Sequence, residues 1–375
     1  MIIHQKKEAE IASFFTPNKF LPMYTIHKFL RKLYQMIFSL FILCSCSHKN
    51  KSIPLTSYNN YLFSKEDQLQ VIEHTKKIDH FFSTGEEGYF KGKKNTQIYY
   101  KAFVNPQNSA CIVISSGRTE ATIKYKELIF DLCKNGYDVY INDHRGQGFS
   151  NRLTEYPQMG YIDQFQYYID DLKTFYEHFV NVKSYQKKYL LAHSMGGAIG
   201  ITYVEQHPSD FDAACFSAPM LALDAYIKPL VKILRSKHPR YALGQKDFND
   251  DVIGFEKNKV TGSKIRYQRN VDMYLQHPKA QLGGVSYQWL QESIDQFNYI
   301  FSHIHHIKTP FLLLSPTKEQ IVNPKGLQKF VKKATKQKLD FKFLEIIEAK
   351  HEVFMEKDVQ RNFALTQTLD FFKKH

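Results

Sequence analysis

Short apolar runs alternate with longer segments in which apolar residues recur every three or four positions, from about Tyr89 to the C-terminus. The runs are typical of buried strands, and the longer spacing is typical of amphipathic helices. Strands alternating with helices predict an α/β fold with a mostly parallel sheet covered on both faces. The predicted strands are 99–104, 110–116, 137–143, 188–194, 211–219, 310–316 and 340–349, and the predicted helices are 121–136, 165–180, 195–207, 323–334 and 359–373.

Residues 220–305 interrupt this alternation with helix-like pieces and the only tryptophan, Trp289. An insertion of this length between two strands is most simply a lid. We therefore predict a helical lid inserted before the last two strands, over a core formed by residues 81–219 and 306–375.

The N-terminus predicts a targeting segment. A basic stretch precedes an apolar run over 33–43, which is too short to span a bilayer and matches the central region of a signal peptide. The letters LCSC that follow resemble a lipobox, which predicts cleavage before Cys46 and lipidation of its thiol. A buried apolar segment or a membrane-lying anchor is the alternative. Residues 1–45 are thus interpreted as the signal, with 1–22 as an overextended start, and 46–80 as a tether and leading segment.

Charge narrows the choice of partners. The net charge is +14 over 375 residues, which suits an anionic partner. The basic residues are scattered and include no nucleic-acid-binding motif, so we expect a membrane surface and no nucleic acid, with a merely solvated basic surface as the alternative. The cysteines have neither zinc-site nor disulfide spacing, and Cys111 and Cys215 are interpreted as buried thiols.

The stretch from Tyr189 to Gly200 reads YLLAHSMGGAIG, which places one serine between an apolar run and small residues. A strand-to-helix turn that exposes a serine needs small neighbours, because the two elements approach each other closely there. This is the G-x-S-x-G pattern of the nucleophile elbow in α/β-hydrolases, with Ala192 in place of the first glycine. The alternative is an ordinary turn with a buried serine. We predict Ser194 as the nucleophile.

A serine nucleophile needs a general base, and the base needs an acid that orients it. In this fold the acid follows the strand near 310–316 and the histidine follows the last strand. Glu319 and His351 occupy those two positions. Asp224, after the preceding strand, is the alternative acid. The predicted catalytic residues are therefore Ser194, Glu319 and His351.

Acyl transfer also requires hydrogen-bond donors for the developing oxyanion. The backbone N–H of Met195, at the start of the predicted helix, is one candidate. The loop SSGRTE after the strand at 110–116 offers the N–H of Arg118 as the second, and Gly117 allows a close approach of the backbone. Gly117 and Trp289 are also predicted to contact substrate.

Several segments in this chain, among them SSGRTE, INDHRGQGFSNR, LAHSMGGAI, GGVSYQWLQESI and KHEVFMEKD, together resemble the bacterial lysophospholipase group, which is related to the monoacylglycerol lipases of the α/β-hydrolase superfamily. The resemblance covers about residue 80 to the C-terminus. It implies an esterase of membrane-derived single-chain lipids, with Ser194 as nucleophile and His351 as base. The acid of that family is usually an aspartate, where this chain has Glu319, and its oxyanion loop usually has His-Gly where this chain has Ser116-Gly117.

The resulting hypothesis is a two-step hydrolysis of lysophospholipid esters through an acyl-serine, without metal or organic cofactor. Residues 220–305 carry twelve basic and eight acidic side chains, which favours a phosphate headgroup or is simply a solvated face. We expect a monomeric, lipid-anchored bacterial lipoprotein on the periplasmic or outer face of a membrane.

Other functions remain compatible with the sequence. The same chemistry could act on monoacylglycerol or on carboxylic esters generally, or transfer the acyl group to an alcohol. An aminopeptidase on this fold is a further alternative, which acidic lid residues facing the serine would favour. A lipoprotein that binds lipid without catalysis would lack contact between His351 and Ser194.

Overall fold

The computed structural model describes residues 61–224, 226–234, 238–248 and 254–375. These residues include an eight-stranded sheet with the strand order β1-β2-β4-β3-β5-β6-β7-β8. Neighbouring strands from β4 to β8 are parallel, whereas β2 is antiparallel to both β1 and β4. The strands are β1 (Glu86–Lys91), β2 (Gln97–Phe103), β3 (Ala110–Ser115), β4 (Asp138–Asn142), β5 (Lys187–His193), β6 (Ala213–Ser217), β7 (Phe311–Pro316) and β8 (Phe341–Ile346).

Helices cover both faces of this sheet, as the sequence predicts. Those described are α1 (Ile72–Ser83), α2 (Lys126–Lys134), α3 (Gln166–Phe175), α4 (Met195–Gln206), α5 (Ile227–Leu234), α6 (Lys264–Gln276), α7 (Tyr287–His303), α8 (Pro324–Lys336) and α9 (Asp358–Lys374). A π-helical turn over 176–180 extends α3 to the predicted end of that helix. None of the described helices is both long and apolar enough to cross a membrane.

The central strands are buried on both faces, which explains their continuous apolar runs. Along β3, Ile112 and Ile114 pack into a cluster shared with α2 and α9, whereas Val113 packs into a second cluster shared with α3, α4, α7 and α8. Successive side chains of a strand point to opposite faces, so one apolar run supplies both cores. Cys111 and Cys215 are buried free thiols, as predicted.

The insertion between β6 and β7 contains α5, α6 and α7, and it is joined to the core by buried charge. The guanidinium of Arg266, in α6, donates to Glu127 of α2 at 2.8 Å and to Asp358 at the start of α9 at 2.9 Å. Its side chain is fully buried, so removing either carboxylate would leave a desolvated charge with fewer partners. The role of the insertion as a lid stays a prediction.

The leading segment is more structured than the predicted tether. Ser64 donates to Asp131 of α2 at 2.7 Å, the hydroxyl of Tyr61 donates to Asp370 of α9 at 2.7 Å, and α1 follows. The sequence did not lead us to predict α1, although Ile78 is buried and Phe81 and Phe82 pack against the core. Cys46, its predicted lipidation and the predicted signal segment lie outside the described residues.

Glu205, near the end of α4, is a buried carboxyl group on the helix that follows Ser194. Neither of its oxygens has a hydrogen-bond partner among the described residues. Burial raises the pKa of the carboxyl from 4.5 to about 9. Between these two values the folded state holds a proton that the unfolded state has released, so the free energy of unfolding decreases as pH rises through this window.

Replacing Glu205 with glutamine is expected to remove this pH dependence. Near pH 5 the variant and the wild type should have similar free energies of unfolding, and at pH 8 the variant should be more stable by about 1–3 kcal/mol. Urea denaturation at both pH values measures the difference. Glu73→Gln, which removes an exposed carboxylate of α1, is the matched control. A Glu205→Gln effect that is the same at pH 5 and pH 8 would contradict the assignment.

Candidate active site

Ser194 occupies a strained turn between β5 and α4. Its φ of 54° and ψ of −117° are unusual for a residue with a side chain, and such strain is stored where the surrounding structure enforces it. A Cβ atom on Gly196 would lie 2.1 Å from the carbonyl oxygen of Ser115, so only glycine fits there. Ala192 is fully buried, and its methyl group packs beside Gly200. A Cβ atom at position 200 would lie only 3.0 Å from this methyl group, so the glycine there leaves room for it. The substitution of alanine for the first glycine is therefore accommodated.

The three predicted catalytic side chains form one hydrogen-bonded line. The Nε2 atom of His351 lies 2.9 Å from the Oγ atom of Ser194, and its Nδ1 atom lies 2.7 Å from Oε2 of Glu319. Because a carboxylate only accepts hydrogen bonds, Nδ1 carries the proton in neutral His351 and Nε2 presents its lone pair to the serine. The geometry is that of a nucleophile, a base and an orienting acid.

Glu319 is held by its own loop as well as by the histidine. Its Oε1 accepts from the backbone N–H groups of Ile321 at 2.6 Å and Val322 at 3.1 Å. Burial disfavours its charged form, but the hydrogen bond and charge of His351, together with these N–H groups, outweigh burial and hold the pKa of the carboxyl below its ordinary value. Asp224, the alternative acid, is exposed and accepts from the side-chain amide of Asn323 at 3.0 Å, with no contact to His351 among the described hydrogen bonds.

The two predicted oxyanion donors are backbone N–H groups, those of Met195 and Arg118. Met195 is the first residue of α4, where a helix leaves its N–H groups without internal partners. The N–H of Gly117 donates to Glu120 at 2.5 Å, which leaves the N–H of Arg118 as the candidate second donor in this loop. The oxyanion role of Met195 and Arg118 stays a prediction.

A buried charge cluster that the sequence did not reveal supports this loop. Lys124 donates to Glu120 and to Glu352 at 2.7 Å each, so it links the loop of Gly117 to the residue after His351. Burial opposes the charged form of Glu120, but Lys124 dominates and lowers the pKa of this carboxyl to about 2. Glu352 lies more than 200 residues after Glu120 and Lys124 in the chain, so no local motif marks the cluster.

His193 is a further residue of the site that the sequence did not indicate. Its ring centroid lies 4.7 Å from that of His351, and its Nδ1 atom lies 3.2 Å from the carbonyl oxygen of Ser217. Burial lowers the pKa of His193 to about 4. A neutral His193 therefore adds no positive charge beside His351 at neutral pH. Its position next to Ser194 in the chain was the only available signal.

Ser194 opens into a cavity of about 660 Å³ that the insertion helps to enclose. The residues predicted to contact substrate, Gly117 and Trp289, both line it, together with the side chain of Arg118. Trp289 is buried near the start of α7, where it also belongs to the core cluster. Among the described residues, no group of three histidines, cysteines or carboxylates is arranged to hold a metal ion.

The sequence matches the family described as serine aminopeptidase S33 over residues 106–358. It is 34% identical to lysophospholipase L2 of Escherichia coli K12 over 306 residues, which cover 79% of this chain and 89% of that protein. It is 26% identical to the monoglyceride lipase of Rattus norvegicus over 258 residues, covering 66% and 77% of the two chains.

Solved structures confirm the predicted fold. The monoacylglycerol lipase of Paleococcus ferrophilus matches with a TM-score of 0.58 at 21% identity, covering 74% of this chain and 99% of that one. A soluble variant of the Saccharomyces cerevisiae monoglyceride lipase matches with a TM-score of 0.61 at 19% identity, covering 78% and 96%. The family resemblance predicted from the sequence is confirmed by the family match and by the relative that is 34% identical. The chain belongs to the serine aminopeptidase S33 family of α/β-hydrolases.

Proposed function

We propose that this protein is a serine hydrolase that cleaves the carboxylic ester of lysophospholipids and releases a fatty acid. The observation that carries the proposal is the line from Ser194 through His351 to Glu319 at the floor of a cavity. Similarity to lysophospholipase L2 at 34% identity supports the substrate class. Similarity to monoglyceride lipases supports the same chemistry on monoacylglycerol as the second candidate.

In the first step, Nε2 of His351 takes the proton of the Ser194 hydroxyl as Oγ bonds to the acyl carbon. The carbonyl oxygen becomes an oxyanion, which the N–H groups of Met195 and Arg118 stabilise. His351 then gives its proton to the glycerol oxygen as the C–O bond breaks, which leaves an acyl-serine. Throughout, the carboxylate of Glu319 stabilises the imidazolium.

In the second step, water replaces the glycerol. His351 accepts a proton from the water molecule as its oxygen attacks the acyl carbon, and the second oxyanion collapses to release the fatty acid. The proton returns to Oγ of Ser194. The buried cluster of Glu120 and Lys124 keeps the oxyanion loop in place and takes no part in proton transfer.

Most carboxylate oxygens that line the cavity are engaged by groups of the protein itself. Glu120 and Glu352 share Lys124, and Glu319 binds His351. Asp224 is exposed and accepts from Asn323. Oε2 of Glu352 has no hydrogen-bond partner among the described residues, so the cavity charges by themselves do not discriminate against a peptide's free amine. Similarity to lysophospholipase L2 and to monoglyceride lipases is what favours ester hydrolysis of a lipid over aminopeptidase activity.

The test compares three substrates under the same conditions: lysophosphatidylcholine, a monoacylglycerol with the same acyl chain, and an aminoacyl p-nitroanilide. We expect fatty acid from lysophosphatidylcholine with kcat/KM about tenfold or more above that for monoacylglycerol, and no nitroaniline. Enzyme pretreated with a fluorophosphonate, which blocks activated serines, is the control. A preference for monoacylglycerol would keep the mechanism but make monoacylglycerol the assigned substrate. Release of nitroaniline without fatty acid would overturn the proposal.

A further inference from the structure

The Arg118 side chain is fixed at the wall of the cavity that contains Ser194. Its Nη1 atom donates to the carbonyl oxygen of Gly283 in the insertion at 2.8 Å. The guanidinium carbon lies 5.8 Å from the centre of the Trp289 ring. The side chain therefore bridges the oxyanion loop and the insertion, and its position is set from both sides.

This guanidinium has no anionic partner among the described residues. Three arginines in the described part of the chain are fully buried, and each has a carboxylate partner. Arg145 pairs with Asp171 at 2.6 Å, and Arg266 and Arg361 each pair with a carboxylate at 2.8 and 2.7 Å, respectively. Burial lowers the pKa of Arg118 to about 10, so it remains charged at neutral pH. A partly desolvated cation without a counter-charge is costly unless a ligand supplies one.

The free edge of the guanidinium has the geometry for a two-oxygen anion. Nη1 is engaged by Gly283, whereas Nε and Nη2 of Arg118 have no hydrogen bond with the described residues. These two atoms lie on one edge of the planar group, which is the arrangement that binds two oxygens of a phosphate. Among the described residues, the carboxylates that line the cavity contact Lys124 and His351, and none of them forms an ion pair with Arg118.

We propose that the guanidinium of Arg118 binds the phosphodiester group of the lysophospholipid and thereby selects phospholipid over monoacylglycerol. The inference rests on the proposed function and assigns a specificity-determining residue to it. In such a substrate, three glycerol carbons separate the scissile ester from the phosphate. Arg118 follows Gly117 in the oxyanion loop and lines the same cavity as Ser194, which places the guanidinium on a wall that the headgroup of a bound substrate can contact.

Arg118→Gln removes the charge and tests this selection. We expect the ratio of kcat/KM for lysophosphatidylcholine to kcat/KM for a monoacylglycerol of the same acyl chain to fall about 10- to 100-fold, because the substitution removes the guanidinium and keeps the backbone N–H at position 118. Retained turnover of the neutral lipid also shows that the variant is folded. Lys332→Gln, which removes an exposed charge of α8 outside the cavity, is the matched control and should change neither value by more than about twofold.

Inhibition by glycerol 3-phosphate, with glycerol as its uncharged control, separates phosphate binding from turnover. With the monoacylglycerol as reporter substrate, glycerol 3-phosphate should compete in the wild type and about tenfold more weakly in Arg118→Gln. Arg118→Lys, which keeps the charge without the fork, should give intermediate values for the phospholipid. Equal losses on both lipids, or unchanged inhibition, would overturn the inference and leave Arg118 as a positioning residue for Gly283. Failure of the wild type on both lipids would instead overturn the proposed function.

Discussion

Ser194→Ala is expected to lower kcat for lysophospholipid hydrolysis by about 10⁴- to 10⁶-fold while leaving the protein folded. The change removes the only atom that can form the acyl-enzyme, because Oγ is the group 2.9 Å from the base Nε2 of His351. Residual rate would come from the oxyanion donors and from substrate binding alone. The measurement is fatty-acid release under single-turnover conditions, with KM compared where turnover permits.

Ser217→Ala is the chemically matched control for this experiment. Ser217 ends the neighbouring strand β6, and its buried hydroxyl has no hydrogen-bond partner among the described residues. The backbone carbonyl that accepts from the N–H of Ser194 is unchanged by the substitution. We expect nearly wild-type activity and fluorophosphonate labelling in this variant and neither in Ser194→Ala. A Ser194→Ala enzyme that retains more than about 1% of kcat would exclude the acyl-serine mechanism.

The sequence predicted the sheet well because its strands carry strong local signals. Each of the strands from β3 to β7 contains a short apolar run, whereas β1 contains none and was not predicted. The turn at Ser194 has a motif whose spacing follows from steric limits. The helix α1 was missed because it precedes the alternation of strands and helices and because Val71, before its first residue, provides no side-chain cap that would mark a helix start. The sequence predicted the helix that contains α3 as far as residue 180, but a 3.6-residue pattern does not indicate that its last turn is π-helical.

The part of the active site that could be predicted was the part that follows from the order of strands along the chain. Order after the strands indicated His351, but it left Glu319 and Asp224 as alternative acids. Which of the two meets the imidazole depends on how the loop after β7 folds, and backbone donors at Ile321 and Val322 hold that loop around Glu319.

The charge cluster around Lys124 could not have been predicted from the sequence in the same way. It joins Glu120 to Glu352, residues 232 positions apart in the numbering, through two ion pairs of 2.7 Å. A lysine four residues after a glutamate is ordinarily interpreted as an exposed helical pair. Burial converts this pair into a brace between the oxyanion loop and the loop of His351, and burial is a property of the whole fold.

The glutamate in place of the usual aspartate has a geometric consequence. Glu319 uses one oxygen for two backbone N–H groups and the other for Nδ1 of His351 at 2.7 Å. A side chain shorter by one methylene could keep either set of bonds, but it would reach both only if the backbone moved. The loop and the longer acid are therefore matched to each other.

Glu319→Gln is accordingly expected to lower kcat about 10³- to 10⁴-fold. The neutral amide keeps the size of the side chain, but it cannot stabilise the imidazolium of His351, and its NH₂ group can force the wrong tautomer. Glu319→Asp retains the charge, so its kcat should fall only about 10- to 30-fold. This smaller loss arises because the shorter side chain positions its carboxylate less well against His351. Steady-state kinetics of both variants on lysophosphatidylcholine measure the difference. Asp224→Asn is the control and should change kcat by less than about twofold, because the carboxylate of Asp224 contacts Asn323 and not the imidazole of His351. If Asp224→Asn caused the larger loss, the acid would have to be reassigned from Glu319 to Asp224.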